Sequence, residues 1–241
     1  MFNYKCIVSY NGSNYHGWAK QNNQVTIQGT IEEKISTILN KKVNIIGAGR
    51  TDAYVHANNQ VFNFRIEKKL NIKQFLNSLN KMLPNDIIVK KMCLISLNFH
   101  ATHSSLHKTY IYFITTKKNV FNKDLMYFFN YDIDVKKLKH ISKLFLGQHN
   151  FLSFSTSELE NTIRVINFIR IRKVDNCVYK ISVDGNGFLR NMVRMLVGAM
   201  LDYLINKKSE VDIIELLNNP KKGSSITKVE GRGLYLDKVY Y

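Results

Sequence analysis

Hydrophobic and polar residues alternate with two different periods in the first half of the chain. A period of two over Tyr4–Tyr10 predicts a half-buried strand that ends in the turn Asn11–Ser13. Isoleucines then recur at helical spacing from Ile27 to Ile38, directly after Thr26, which is a suitable N-cap. The pattern continues with strands over residues 43–47 and 60–66, a helix over 72–82 and a strand over 87–92. The predicted order is therefore β-α-β-β-α-β.

The second half of the chain repeats this order. Strands are predicted over residues 107–116, 162–174, 177–184 and 234–240, and helices over 135–146, 188–206 and 210–217. Gly147 follows the first of these helices as its C-terminal cap. The repeat favours an α+β fold of two ferredoxin-like β-α-β-β-α-β halves, residues 1–104 and 105–241. The halves are predicted to share an extended, mostly antiparallel sheet with a central cleft.

The charge balance favours a polyanionic partner. The 241 residues include 35 Lys and Arg against 18 Asp and Glu, and the net charge of +17 would attract nucleic acid through counterion release. Biased codon usage is the alternative explanation, because only 8 of the 35 basic residues are Arg.

Several classes of protein fit the sequence poorly. The longest apolar run, Met195–Leu201, is far shorter than the ~20 residues of a membrane span, and the first ten residues show no signal-peptide pattern. Three widely separated cysteines suit a reducing cytoplasm better than disulfides. No metal is expected at His100, His103 and His107, since in an extended segment the first two would face opposite sides and no acidic residue lies close by.

The segment Gly49–Ala57 is the strongest candidate for chemistry. It forms a loop between two predicted strands and places Arg50 and Asp52 two residues apart at a sheet edge. An ordinary turn in which Asp52 caps backbone amides is the alternative. Because Arg is scarce, Arg190 and Arg194 are also candidates, and four residues apart on a predicted helix they would share one face. A basic helix surface is the simpler interpretation of that pair.

Aromatic residues lie beside cations at two places. Trp18 precedes Lys20, and Tyr110 and Tyr112 follow Lys108. Aromatic rings next to cations suit base stacking and phosphate contact, although a half-buried core pair is the alternative for the two tyrosines.

Together these segments resemble the tRNA pseudouridine synthase A family. Gly49–Ala57 is similar to the family's catalytic signature, Gly-Arg-Thr-Asp-Ala-Gly-Val-His-Ala, at every position but one. Further similar blocks follow in the family's order: 10–18, 83–87, 108–112, 187–198 and 233–236. The resemblance therefore runs from end to end of the chain.

The resemblance implies a cofactor-free isomerase that converts uridine to pseudouridine in the anticodon stem-loop of tRNAs. Asp52 would be the nucleophile, Arg190 its cationic partner, and Tyr110 the residue that stacks on the target base. Arg50 would bind RNA, and a homodimer would hold one tRNA. Other expected RNA-binding residues are Lys20, Trp18, Tyr54 and Arg194.

Tyr54 is the largest departure from the family pattern, because it replaces the glycine of the catalytic signature. Since tyrosine is costly at positive φ, an extended backbone with an outward ring is expected here, with base stacking and a passive surface role left open. Two other functions remain as alternatives: a non-catalytic tRNA-binding protein or RNA chaperone, and a pseudouridine synthase with another RNA target.

Overall fold

The computed structural model describes all 241 residues, which divide into two compact units. Unit 1 comprises Met1–Leu106 and Tyr235–Tyr241, and unit 2 comprises His107–Leu234. The start of unit 2 lies close to the predicted boundary after residue 104. The last seven residues, expected in the C-terminal half, instead belong to unit 1.

Ten strands and five α-helices confirm the predicted α+β class. In chain order they are β1 Phe2–Tyr10, α1 Ile27–Leu39, β2 Ile46–Gly47, β3 His56–Ile66, α2 Ile72–Met82, β4 Ile87–Ile95, β5 His107–Thr115, β6 Tyr127–Phe128, α3 Val135–Ser142, β7 Gly147–Asn150, β8 Ile163–Asp175, β9 Val178–Gly185, α4 Met192–Leu204, α5 Glu210–Asn218 and β10 Leu234–Tyr240. Short 3-10 turns cover residues 143–145, 152–154 and 231–233. None of the five α-helices combines the length and the hydrophobicity that a membrane span requires.

Unit 1 has the predicted β-α-β-β-α-β order. Its sheet runs β4-β1-β3 with antiparallel pairing, and both β2 and β10 pair with β3. The β10 pairing is parallel, with Tyr235 opposite His56. The strand predicted over residues 43–47 is reduced to two residues, whereas β3 begins four residues earlier than predicted.

Helix α1 shows how the sequence pattern produces the core of unit 1. The Thr26 side chain accepts a hydrogen bond from the Gly29 amide, as expected of an N-cap. The helix then buries Ile27, Ile31 and Ile35 completely, since their spacing puts them on one face. This confirms the helix predicted from the isoleucine repeat.

Unit 2 contains an antiparallel sheet in the order β5-β9-β8-β7, with β6 parallel to β5. Neither β6 nor β7 was predicted. The helix predicted to reach residue 146 ends at Ser142 in a 3-10 turn, and Gly147, with φ of 85°, follows that turn. The helix predicted from residue 188 begins only at Met192, because Asn191 has a left-handed φ of 62° that breaks the helical path.

Candidate active site

The loop that joins β2 to β3 holds Asp52 on a fixed backbone. The Trp18 amide donates to the Thr51 carbonyl at 3.0 Å, and the Tyr10 hydroxyl lies 2.8 Å from Thr51 Oγ1 in a buried hydrogen bond. On the other side of the loop, Gln60 Nε2 donates to the Gly49 carbonyl at 2.8 Å. Asp52 follows directly after Thr51 and is half-buried. Its position is therefore set by contacts on both sides.

Two glycines of the segment after β1 allow this segment to pack directly against the Asp52 loop. A Cβ atom on Gly12 would lie 2.0 Å from the Val55 carbonyl oxygen. At Gly17, which has φ of 88°, it would lie 2.5 Å from the Thr51 carbonyl oxygen. Any side chain would collide with backbone at both positions. Residues 10–18 and Gly49–Ala57, the blocks that resemble the family's opening turn and catalytic signature, therefore pack directly against each other.

Tyr54 corrects one expectation. Its φ is 64°, so the backbone is left-handed rather than extended. The Val55 amide donates to the Asp52 carbonyl at 3.2 Å, which closes a β-turn with Tyr54 in the third position. Positive φ at that position favours glycine, and for tyrosine it costs on the order of 1–2 kcal/mol. The outward ring was predicted correctly, since Tyr54 is 54% exposed.

Trp18 lies in the core, which does not fit the expected role in RNA stacking. It is 2% exposed and packs between Tyr10 and Phe62, with ring centroids 6.0 and 6.4 Å away. Its indole also covers Gly47, where an added Cβ would lie 2.5 Å from the indole nitrogen. Base stacking requires an accessible ring face. The position of Trp18 favours support of the Asp52 loop instead.

The two basic residues expected to bind RNA in unit 1 differ in their contacts. Arg50 is exposed and makes no hydrogen bond or ion pair. Lys20 forms an ion pair with Glu32 at 3.1 Å. Glu32 is buried and also accepts from the Ile45 amide at 2.9 Å, so Lys20 serves as its counter-ion. Arg50 is therefore the more available of the two.

In unit 2, Tyr110 and Tyr112 point to the same face of β5 but differ in their surroundings. Tyr112 is fully buried, and its hydroxyl donates to the Glu230 carbonyl at 2.7 Å, so the core alternative applies to it. Tyr110 is 7% exposed, and its ring lies nearly perpendicular to the Phe188 ring at a centroid distance of 5.0 Å. Phe188 was not singled out from the sequence, because it was expected at the start of a helix, where one Phe carries no distinguishing signal.

Arg190 and Arg194 do not share a helix face, which corrects the prediction. Arg190 is exposed in the turn before α4, and its carbonyl accepts from the Thr156 amide at 3.0 Å. Arg194, in the first turn of α4, donates from Nε to the Val229 carbonyl at 2.7 Å and from Nη1 to Asn191 Oδ1 at 2.8 Å. These two hydrogen bonds hold the Arg194 side chain against its own unit.

Arg190 also lies near an exposed carboxylate of its own unit. The pKa of the Glu158 carboxyl is lowered by a hydrogen bond from Lys222 at 2.9 Å, by the charge of Lys222 and, to a smaller extent, by the charge of Arg190. Arg190 is itself exposed, so its guanidinium is accessible to an anion.

Neither the histidines nor the surface depressions add residues to the candidate site. His100 and His103 lie in a turn with ring centroids 4.2 Å apart, not on opposite sides of an extended segment. The chain has no group of three or more His, Cys, Asp or Glu side chains placed to hold a metal ion. Two surface depressions in unit 2, of about 290 and 700 Å³, are lined by neither Tyr110 nor Arg190.

Comparison with known proteins adds independent findings. A family model described as tRNA pseudouridine synthase matches residues 6–104 and 141–241. The tRNA pseudouridine synthase A of Malacoplasma penetrans is 45% identical over 241 residues, covering 99% of both chains. The protein of the same name from Acetivibrio thermocellus is 36% identical and covers 100% of both chains. A solved archaeal box H/ACA sRNP complex matches 81% of this chain and 41% of that chain at 13% identity and a TM-score of 0.38, which is too low to support any argument.

Proposed function

Since the chain belongs to the tRNA pseudouridine synthase family, we propose that it isomerises uridines in the anticodon stem-loop of tRNAs, with Asp52 as nucleophile and without a cofactor. The observation that carries the proposal is the rigid loop that presents Asp52. Hydrogen bonds to Thr51 and Gly49 hold this loop on both sides, while Arg50 and Tyr54 on either side of Asp52 are exposed. A nucleophile needs such fixed positioning to react efficiently.

The reaction needs no co-reactant. A flipped uridine would meet the Asp52 carboxylate, which attacks either C1′ of the ribose or C6 of the uracil. The N1–C1′ bond breaks and its electron pair goes to the uracil. The uracil rotates, its C5 forms the new bond to C1′, and the bond to Asp52 breaks. Loss of the proton from C5 and gain of one at N1 complete an isomerisation in which no atom is added or removed.

Arg190 and Tyr110 would act from unit 2. A carboxylate in a partly dry site stays ionised more readily beside a cation, and Arg190 is the family's candidate for that partner. Its exposed position in the turn before α4 is compatible with pairing to a carboxylate. Tyr110 would contact the uracil through the part of its ring that the protein leaves uncovered.

RNA binding would rest on the net charge and on the exposed residues of the Asp52 loop. The charge of +17 supplies long-range attraction, and Arg50 and Tyr54 supply a phosphate contact and a stacking surface. We propose further that the enzyme works in the cytoplasm as a homodimer on one tRNA, with Lys20 as an additional contact where its pairing with Glu32 allows.

The test is to incubate the protein with unmodified tRNA and to map pseudouridine by carbodiimide modification and primer extension. Pseudouridine should appear in the anticodon stem-loop with wild-type protein and not with Asp52→Asn. Product at other positions, or in another RNA only, would refute the assignment of the substrate. Tight tRNA binding without any product would instead support a non-catalytic tRNA-binding protein.

A further inference from the structure

Lys108 is a half-buried cation that has no partner in the structure. It lies on β5, and its side chain makes no hydrogen bond or ion pair. The nearby carboxylate of Asp184 is occupied by its neighbours, since it lies 3.0 Å from His107 Nδ1 and accepts from Thr109 Oγ1 at 2.6 Å. Burial lowers the pKa of the Lys108 ammonium, and no carboxylate opposes this shift. Such an ammonium is stabilised by an anion that binds from outside.

The strand places Lys108 beside Tyr110. Side chains alternate along a strand, so Lys108 and Tyr110 point to one face while Thr109 and Asp184 point to the other. Two residues on one face are about 7 Å apart along the strand. The spacing suits a nucleotide whose base contacts Tyr110 and whose phosphate lies further along β5.

The residue opposite Lys108 allows the Phe188 ring to pack close to the sheet. Gly185 of β9 pairs with Lys108. A Cβ atom on Gly185 would lie 2.6 Å from the Val165 carbonyl oxygen and 3.3 Å from the Phe188 ring. The Phe188 ring in turn packs against Tyr110. The cation therefore lies next to an aromatic pair, which is a common arrangement for binding a nucleotide.

From this juxtaposition of an unpaired cation with Tyr110 and Phe188, we propose that Lys108 binds a phosphate flanking the uridine whose base contacts Tyr110. This inference rests on the proposed function, because it assumes an RNA substrate at Tyr110. It adds a binding residue that neither the catalytic signature nor the arginine pattern indicates.

The first experiment compares Lys108→Gln with Lys90→Gln, which removes the same charge from an exposed strand position on β4. Binding of unmodified tRNA is measured by filter binding over a series of salt concentrations. Lys108→Gln should weaken binding about tenfold at low salt, as expected for one charge-assisted hydrogen bond. The slope of log affinity against log salt should fall by about 0.7 to 0.9. Lys90→Gln should change neither quantity, and Lys108→Arg should retain most of the affinity.

The second experiment locates the phosphate. Stem-loop RNAs carry a methylphosphonate, which removes the charge, either 5′ or 3′ of the target uridine. Wild type should bind one of these RNAs more weakly than the unmodified RNA, whereas Lys108→Gln should bind that RNA and the unmodified RNA equally well. The inference would be overturned if the losses of affinity caused by Lys108→Gln and by the methylphosphonate were additive at both positions. It would also be overturned if Lys108→Gln bound tRNA as tightly as Lys90→Gln. If wild type fails to convert any tRNA, the proposed function fails instead.

Discussion

Replacing Tyr54 by glycine tests the geometry of the Asp52 loop and the RNA-binding role of the ring in one variant. In the structure Tyr54 has φ of 64° and is 54% exposed. The variant removes both the backbone strain and the stacking surface. We expect Tyr54→Gly to be at least as stable as wild type but to bind tRNA more weakly.

The expected effects on stability and on tRNA affinity differ in size. Tyrosine in the left-handed region costs on the order of 1–2 kcal/mol, whereas glycine loses roughly 0.5–1 kcal/mol through its greater freedom in the unfolded chain. The net effect is a stabilisation of about 0.5–1 kcal/mol, or an increase in Tm of about 1–4 °C for a chain of this size. Loss of one stacked base costs ~1–3 kcal/mol, which corresponds to a five-fold or greater loss of affinity.

Calorimetry and filter binding measure the two quantities separately. Tyr54→Asn is the matched control, because asparagine tolerates positive φ but has no aromatic ring, and Tyr54→Phe keeps the ring. The asparagine variant should bind as weakly as Tyr54→Gly, and the phenylalanine variant nearly as well as wild type. A lower Tm for Tyr54→Gly would refute the reasoning about strain. Unchanged affinity in the glycine and asparagine variants would show that the ring does not stack on RNA.

Three further variants test the remaining assignments. Asp52→Asn should give no detectable pseudouridine in the carbodiimide assay while tRNA affinity changes less than about tenfold, and turnover close to wild type would exclude Asp52 as nucleophile. Arg190→Ala should reduce single-turnover rates severely and Arg190→Lys should restore them in part, because a lysine lacks the bidentate geometry; full activity of the alanine variant would mean that another cation serves Asp52. Trp18→Ala should lower the free energy of unfolding by about 3–5 kcal/mol, as judged by denaturant titration. Weaker tRNA binding by Trp18→Phe at unchanged stability would instead support stacking.

Helices and strands with a clear hydrophobic period could be predicted from the sequence. The isoleucine repeat of α1 and the alternation of β1 needed only local information, because each pattern describes which face is buried. The end of α3 and the start of α4 could not be predicted in this way. Asn191 breaks the helical path through a left-handed φ, and nothing in the hydrophobic pattern marks it. The short strands β6 and β7 carry too few residues to show a period.

Residues of the candidate site could be proposed from the sequence, but their contacts could be predicted less well. Asp52 and Arg50 were found because their segment is unusual in the sequence, and the structure places both on one loop. Trp18 was misjudged, since an aromatic residue near a lysine has the same sequence pattern whether it is buried or exposed. Its burial depends on Gly47, which leaves room for the indole and lies 29 residues later in the chain.

The error over Tyr54 shows which interactions determine the conformation of the Asp52 loop. The sequence argument assumed that a tyrosine would avoid positive φ by changing the local backbone. In the structure that backbone is held from outside the turn, by the Trp18 amide on Thr51 and by the close approach of Gly12 to Val55. Relaxing the turn at Tyr54 would break these contacts, which together outweigh a strain on the order of 1–2 kcal/mol. The conformation of the Asp52 loop is therefore encoded mainly in the segment after β1.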